Sequence, residues 1–109
     1  MAPPQDPDRH LALVGDIGGS TARFAIAAMS GADIKLQHAT ALRCADYQGF
    51  EQAAAAFLAR LPGARPAAAA VAIAGPVTGD RVALTNHPWS FSVEAARRQL
   101  KLDWLPVGV

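Results

Sequence analysis

The sequence is poor in cysteine and in charge, and it lacks any long apolar run. Cys44 is the one cysteine among 109 residues, so no intrachain disulfide can form and no zinc-site spacing is present. Charged residues make up 17% of the chain and the formal net charge is +1, which gives no long-range field for nucleic acid or an anionic membrane. No run approaches the roughly 20 apolar residues of a membrane helix, and no signal-peptide pattern opens the chain. These absences favour a globular cytoplasmic protein with no nucleic acid and no membrane as partner.

The segment LALVGDIGGSTARFAI, residues 11–26, places an acidic residue and several small residues between two apolar runs. The first run is typical of a buried strand and the second resumes at 22–28. Gly18 and Gly19 permit positive φ angles and close backbone approach to a ligand, so the segment predicts a β-hairpin with Asp16 at its mouth. N–H groups in such a turn suit a nucleotide phosphate, with Asp16 holding Mg²⁺ through water. A tight hairpin whose residues serve only the turn is the other interpretation.

The sequence of this segment excludes two common phosphate-binding loops. The Walker pattern requires a lysine before its Ser or Thr, and none precedes Ser20. The dinucleotide pattern requires another glycine spacing and a following helix, whereas the run that follows here is typical of a strand.

The rest of the chain predicts further strands. Residues 33–42 show a weak alternation that predicts an exposed third strand, and 80–84 predict a short one. Residues 67–74 are apolar throughout and predict a central strand covered on both faces. A last apolar run begins at 104–109. With two helices between strands, the order β-β-β-α-β-(β)-α-β predicts an α/β fold with a mixed sheet flanked by helices.

Two helices are predicted, each with a capping residue. Asp46 is the expected N-cap of the first, whose apolar and aromatic positions recur at helical spacing over 47–61 and are expected to pack in the core. Ser92 is the expected N-cap of the second. Trp89 and Phe91 are expected to be packing anchors, and Asp80 to lie in a solvated turn.

Two segments together resemble the bacterial glucokinase family of the hexokinase, actin and heat-shock ATPase fold class. They are LVGDIGGSTARFAI and AIAGPVTGDRVALTNHPWSFS, residues 72–92. The resemblance implies a ribonuclease H-like (actin-like ATPase) small domain, and transfer of a phosphoryl group from ATP to glucose with Mg²⁺. It assigns Asn86 and His87 to the sugar and Asp16 to the metal. The residues that it assigns to the ATP phosphates are Gly15, Asp16, Ile17, Gly18, Gly19 and Ser20. The family often has Thr-Asn where this chain has Ser20-Thr21.

The resemblance assigns no catalytic residue to this sequence. The family's general base is an aspartate in an Asn-Asp-Phe segment after the strand that begins near Trp104, and the sequence has no such segment. We therefore expect 1–10 to be a flexible tail and 11–109 to be an incomplete amino-terminal small domain, truncated within its last strand and inactive alone. The unpaired sheet edge would favour association, and a homodimer is one outcome.

Other functions remain open from the sequence. One is a related sugar kinase that uses another hexose or polyphosphate, because the same phosphate turn serves many members of the fold class. Another is a non-catalytic nucleotide- or sugar-binding regulatory module, although the helix-turn-helix of repressor relatives has no counterpart in the ten residues before Leu11. A third is a short chain that pairs with a separately encoded remainder.

Overall fold

A computed structural model of the protein describes residues 9–63, 65–85 and 88–108, which form an α/β fold with a mixed sheet. The main sheet has the strand order β3-β2-β1-β4-β8, antiparallel from β3 to β1 and parallel from β1 to β8. A second, antiparallel sheet has the order β5-β6-β7. The elements are β1 Arg9–Ile17, β2 Thr21–Ser30, β3 Asp33–Arg43, α1 Phe50–Ala59, β4 Ala68–Ile73, β5 Val77–Thr78, β6 Arg81–Ala83, β7 Ser90–Ser92, α2 Val93–Gln99 and β8 Val107–Gly108.

This order confirms the predicted α/β fold and its mixed sheet, and it adds two short strands, β5 and β7, that the sequence did not predict. β1 begins at Arg9, two residues before the predicted start, while residues 1–8 of the predicted tail lie outside the described residues. The predicted last strand is short: Trp104 forms an isolated bridge to Ala68, and regular pairing is limited to Val107 and Gly108.

The main sheet has one face against the helices, the core face, and an opposite face, the open face. Alternate residues of β4 are buried and exposed, with Val71 and Ile73 on the core face and Ala70 and Ala72 exposed on the open face. The prediction that this strand is covered on both faces is therefore wrong for the part of the chain that the structure describes. Its central position is confirmed, because it pairs with β1 on one side and β8 on the other.

A bulge in β3 changes which face its apolar side chains occupy. The register with β2 shifts between Phe24 and Ile26, where His38 takes a positive φ of 59°. Leu42 therefore lies on the core face and is buried, whereas Leu36, beyond the bulge, is two-thirds exposed on the open face.

Four phenylalanines join the sheet to the helices. Phe24 of β2 stacks on Phe57 of α1 with ring centroids 5.5 Å apart, and Phe50 stacks on Phe91 of β7 at 4.6 Å. All four rings are buried, as is Trp89. This confirms the predicted packing role of the helical aromatics and of Trp89 and Phe91.

The predicted N-cap of α1 is wrong. Asp46 belongs to a single 3-10 turn, Cys44–Asp46, and the N-cap is Gly49, which makes no side-chain cap. The helix begins at Phe50, whose side chain is fully buried. Asp46 precedes it by a full turn and cannot reach its free N–H groups.

The predicted N-cap of α2 is confirmed, and Asp80 reinforces it. Ser92 Oγ accepts a hydrogen bond from Ala95 N at 3.1 Å and donates one to Asp80 Oδ2. Asp80 Oδ1 accepts a hydrogen bond from Glu94 N at 2.8 Å. Asp80 is exposed, as predicted, but its turn also serves to cap a helix.

This cap predicts a stability that depends on pH. The hydrogen bonds from Ser92 and then Glu94 N hold the pKa of Asp80 below its ordinary value of 3.8. A carboxyl whose folded pKa is lowered stabilises the fold fully above its unfolded pKa, and that contribution is lost as pH falls through the folded pKa. We expect Asp80→Asn to lower the free energy of unfolding at pH 7 and to lose less stability than the parent between pH 5 and pH 2.5 in urea titrations.

Asp33→Asn is the matched control, because Asp33 is exposed and its side chain makes no hydrogen bond to a described residue. An acid dependence of Asp80→Asn equal to that of the control would contradict the capping role.

Gly75 is the glycine that the fold requires most strictly. A Cβ at this position would lie 2.2 Å from the carbonyl oxygen of Ala83 and 2.9 Å from Cα of Leu84. Both atoms belong to the backbone and cannot turn away as a side chain would. The chain that leaves β4 therefore passes directly against the end of β6.

We expect Gly75→Ala to lower the free energy of unfolding by about 1–3 kcal/mol or more, because the backbone must shift to admit the methyl group. Gly108→Ala is the control, since a Cβ at Gly108 meets nothing within 4 Å. Denaturant titration of both variants measures the effect. Equal midpoints for Gly75→Ala and the parent would contradict the close approach.

Candidate functional site

The hairpin predicted from residues 11–26 is present, and hydrogen bonds fix its turn on two sides. β1 and β2 pair in register up to Ile17 opposite Ala22. Within the turn Gly18 N donates to Thr21 O at 2.9 Å, and Ser20 O accepts from Cys44 N at 2.9 Å. The turn is thus held by the hairpin and by the end of β3.

The turn leaves two backbone donors free among the described residues. The N–H of Gly18 is used within the turn, but those of Gly19 and Ser20 make no hydrogen bond to any described residue. Gly19 and Ser20 are also exposed, and Ser20 adds a side-chain hydroxyl to the turn. Adjacent free N–H groups and a hydroxyl are the donors that a bound anion accepts from.

The glycines of the segment differ in how much space surrounds them. Gly18 and Gly19 do not use the positive φ that glycine permits, and a Cβ at either would meet no atom closer than 3.8 Å. Gly15 is different, because a Cβ there would lie 3.2 Å from the Phe24 ring. Packing against the Phe24 ring thus favours a glycine at 15, whereas packing does not explain the glycines at 18 and 19.

Asp16 lies on the open face at the end of β1, and its carboxylate is exposed. Its cross-strand partner is Arg23, and both line a cavity of about 440 Å³ whose other walls are mostly apolar. They form no ion pair: in the described ranges the ion pairs are those of Glu94 with Arg97 and Arg98. Ile17, the next residue, is fully buried, so it offers a ligand only its backbone.

Two backbone hydrogen bonds bring the two motif segments together at the carboxyl edge of β1 and β4. Ala74 N donates to Ile17 O at 3.0 Å, and Thr85 N donates to Ala74 O at 3.2 Å. Ile17 and Thr85, almost 70 positions apart in sequence, are therefore linked through Ala74 by two backbone hydrogen bonds. The carboxyl edge of parallel strands, where loops converge, is where α/β sheets commonly bind ligands.

The sequence predictions for the sugar cannot be placed. Asn86 and His87 lie outside the described residues, although the preceding Thr85 is part of the junction just described. Arg23 was not predicted as a site residue. The hairpin register could have identified it, because a turn at Gly18 and Gly19 places Arg23 opposite Asp16.

The segment around the turn offers a metal ion one carboxylate, that of Asp16. Nowhere in the described ranges do three or more His, Cys, Asp or Glu side chains cluster as a metal site. Mg²⁺ does not require such a cluster, because it keeps several waters and binds through one or two carboxylates together with substrate phosphates. The exposed Asp16 beside the free donors of the turn fits that requirement.

The fold is the α/β fold of the glucokinases, within the hexokinase and actin-like ATPase class. The structure superposes on the crystal structure of a glucokinase from an Antarctic psychrotroph with a TM-score of 0.83. The sequences are 32% identical, and the match covers 89% of this chain and 31% of that one. A family model described as glucokinase matches residues 13–107. The chain belongs to the glucokinase family.

Relatives by sequence agree with this assignment. The glucokinase of Cupriavidus metallidurans is 46% identical over 94 residues, which is 85% of this chain and 27% of that protein. The glucokinase of Ralstonia nicotianae is 42% identical over 107 residues, 94% of this chain and 30% of that protein. The chain thus spans less than a third of the length of these relatives. Within the described residues, neither helix is long and apolar enough to cross a membrane.

Proposed function

We propose that these residues are the amino-terminal part of the small domain of a glucokinase, which transfers the γ-phosphoryl group of ATP to glucose. The observation that carries the proposal is the junction at one sheet edge of the exposed Asp16, the free N–H groups of Gly19 and Ser20, and the 74–85 segment. Membership of the glucokinase family supports the reaction and its substrates.

Each part of the turn has a distinct role in this proposal. The N–H groups of Gly19 and Ser20 hold phosphate oxygens of ATP, with Gly15 and Ile17 fixing the strand behind them. The Asp16 carboxylate holds Mg²⁺ through its water. When bound, Mg²⁺ neutralises charge on the phosphates. Phosphoryl transfer depends on such positioning and neutralisation, so this turn forms one wall of the site.

The sugar side of the proposal rests on Asn86 and His87, which follow Thr85 at the junction. We infer that they contact glucose. The general base is proposed to lie outside the present sequence, since none of these 109 residues is assigned that role. Inactivity of residues 1–109 alone therefore stays a prediction.

We propose a cytoplasmic location, where ATP is available and where the buried free Cys44 stays reduced. Neither nucleic acid nor a membrane is proposed as a partner, given a net charge of +1. A homodimer remains part of the proposal, supported by the exposed apolar side chains of Ile34 and Leu36 on edge strand β3.

The first test is glucose-dependent ADP formation by the full-length protein that carries this segment. We expect Asp16→Asn to lower kcat/KM for ATP on the order of 100-fold or more, because the metal is no longer held at the phosphates. Asp33→Asn is the matched control and should resemble the parent, because Asp33 begins β3 opposite Ser30, at the end of β2 away from the turn. Equal rates for the two variants would refute the metal role of Asp16.

The same assay separates the alternatives. Activity with polyphosphate but not ATP, or with another hexose but not glucose, would indicate a related sugar kinase. Binding of ATP or glucose without turnover would indicate a regulatory module.

Gly19 tests whether the turn itself binds phosphate. Because its Cβ would meet nothing within 4 Å, Gly19→Ala should keep the free energy of unfolding within about 0.5 kcal/mol of the parent. A methyl group there would still obstruct an anion at the adjacent N–H groups. We expect affinity for Mg-ATP to fall about tenfold or more, equivalent to losing a charge-assisted hydrogen bond of ~1.5 kcal/mol.

Isothermal titration of the full-length protein measures that affinity, with Gly108→Ala as the control. Unchanged affinity in a folded Gly19→Ala would mean that the glycines serve only the turn, which was the competing interpretation of this segment.

A further inference from the structure

Arg43 ends strand β3 directly beside the turn. Its cross-strand partner is Thr21, the first residue of β2. The next residue along, Cys44, donates its N–H to Ser20 O at 2.9 Å, which fixes the backbone of this strand end against the turn. Neighbouring strands lie about 4.8 Å apart, and an extended arginine side chain is longer than that spacing.

Strand alternation puts the Arg43 side chain on the open face, the face of Asp16. Leu42 pairs with Ala22 on the core face and is buried, so Arg43 points to the opposite side. Arg23 stands on that same face one row further along β2, opposite Asp16. The carboxylate and both guanidinium groups therefore share one face at the mouth of the hairpin.

Arg43 has no partner of its own among the described residues. It is exposed, and it forms neither a hydrogen bond nor an ion pair with any of them. On the strands beside the turn, the open face thus carries two arginines, Arg23 and Arg43, and one aspartate, Asp16. A guanidinium is planar and presents paired N–H donors, which suits it to bidentate contact with a phosphate.

We propose that Arg43 is a substrate-binding residue that contacts the phosphate chain of the nucleotide held by the turn. This inference rests on the proposed function, because it adds a side-chain contact to the same phosphate site. Arg43 approaches from β3, so the phosphates lie between the backbone donors of the turn and a guanidinium on the neighbouring strand.

Steady-state kinetics and calorimetry on the full-length protein test the contact. We expect Arg43→Ala to raise KM for ATP about tenfold, since a charge-assisted hydrogen bond is lost. The contact exists before and during phosphoryl transfer, so kcat should stay within about twofold and KM for glucose should not change. Arg43→Lys keeps the charge without the bidentate geometry and should recover part of the loss. Arg60→Ala, an exposed arginine at the end of α1, is the control.

The outcomes separate this inference from the proposed function. If the parent phosphorylates glucose and Arg43→Ala has the same KM for ATP as Arg60→Ala, or loses only kcat, the role of Arg43 is overturned and the glucokinase proposal stands.

If the parent shows no glucose-dependent activity, the glucokinase proposal fails. Titration with inorganic triphosphate and Mg²⁺ then tests the phosphate contact of Arg43 by itself. Triphosphate binding that is tenfold weaker in Arg43→Ala than in the parent supports the contact. The contact is overturned if both proteins bind triphosphate equally well, or if the parent does not bind it. Thermal melting verifies folding, and Arg43→Gln replaces any variant that melts early.

Discussion

The parallel pairing of β1 with β4 is the interaction on which the rest of this structure depends. It sets the ends of two sequence-distant strands side by side, so that Ala74 N reaches Ile17 O and Thr85 N reaches Ala74 O. Without this pairing the hairpin turn and the 74–85 segment would be separate loops. Gly75 allows the chain that leaves β4 to pass against the Ala83 backbone, where a Cβ would not fit.

Local patterns predicted the elements that local physics determines. The hairpin, the central strand and the Ser92 cap of α2 could be read from the sequence because apolar runs, glycines and a capping hydroxyl act within a few residues. The predicted N-cap of α1 was wrong because Asp46 lies in a separate 3-10 turn and the helix follows only at Phe50, whose ring packs on the distant Phe24 and Phe91. β5 and β7 were missed because strands of two or three residues form only where a partner is supplied.

The candidate site was partly predictable for the same reason. Asp16 and the small residues of the turn can be identified in the sequence, but which backbone freedom of Gly18 and Gly19 the turn uses cannot, because neither glycine takes the positive φ that the sequence permits. The places of Arg23 and Arg43 depend on cross-strand register, and the β3 register includes a bulge at His38 that no alternation in the sequence marks. A one-residue slip would move Arg43 to the other face, so only the structure assigns it to the side of Asp16.

The glycines offer the strongest argument that this turn exists for a ligand. Gly15 and Gly75 are explained by packing, since a Cβ at either would press on a neighbouring ring or backbone. Gly18 and Gly19 have neither a neighbour that excludes a Cβ nor a φ that requires glycine. Glycine in such a position costs conformational entropy on folding, and no packing contact or backbone conformation of the fold compensates for that cost. The absence of side chains at Gly18 and Gly19 leaves the backbone N–H groups of Gly19 and Ser20 accessible at the end of the hairpin. At the same end Asp16, Arg23 and Arg43 lie on the open face, and neither arginine has an ion-pair partner among the described residues.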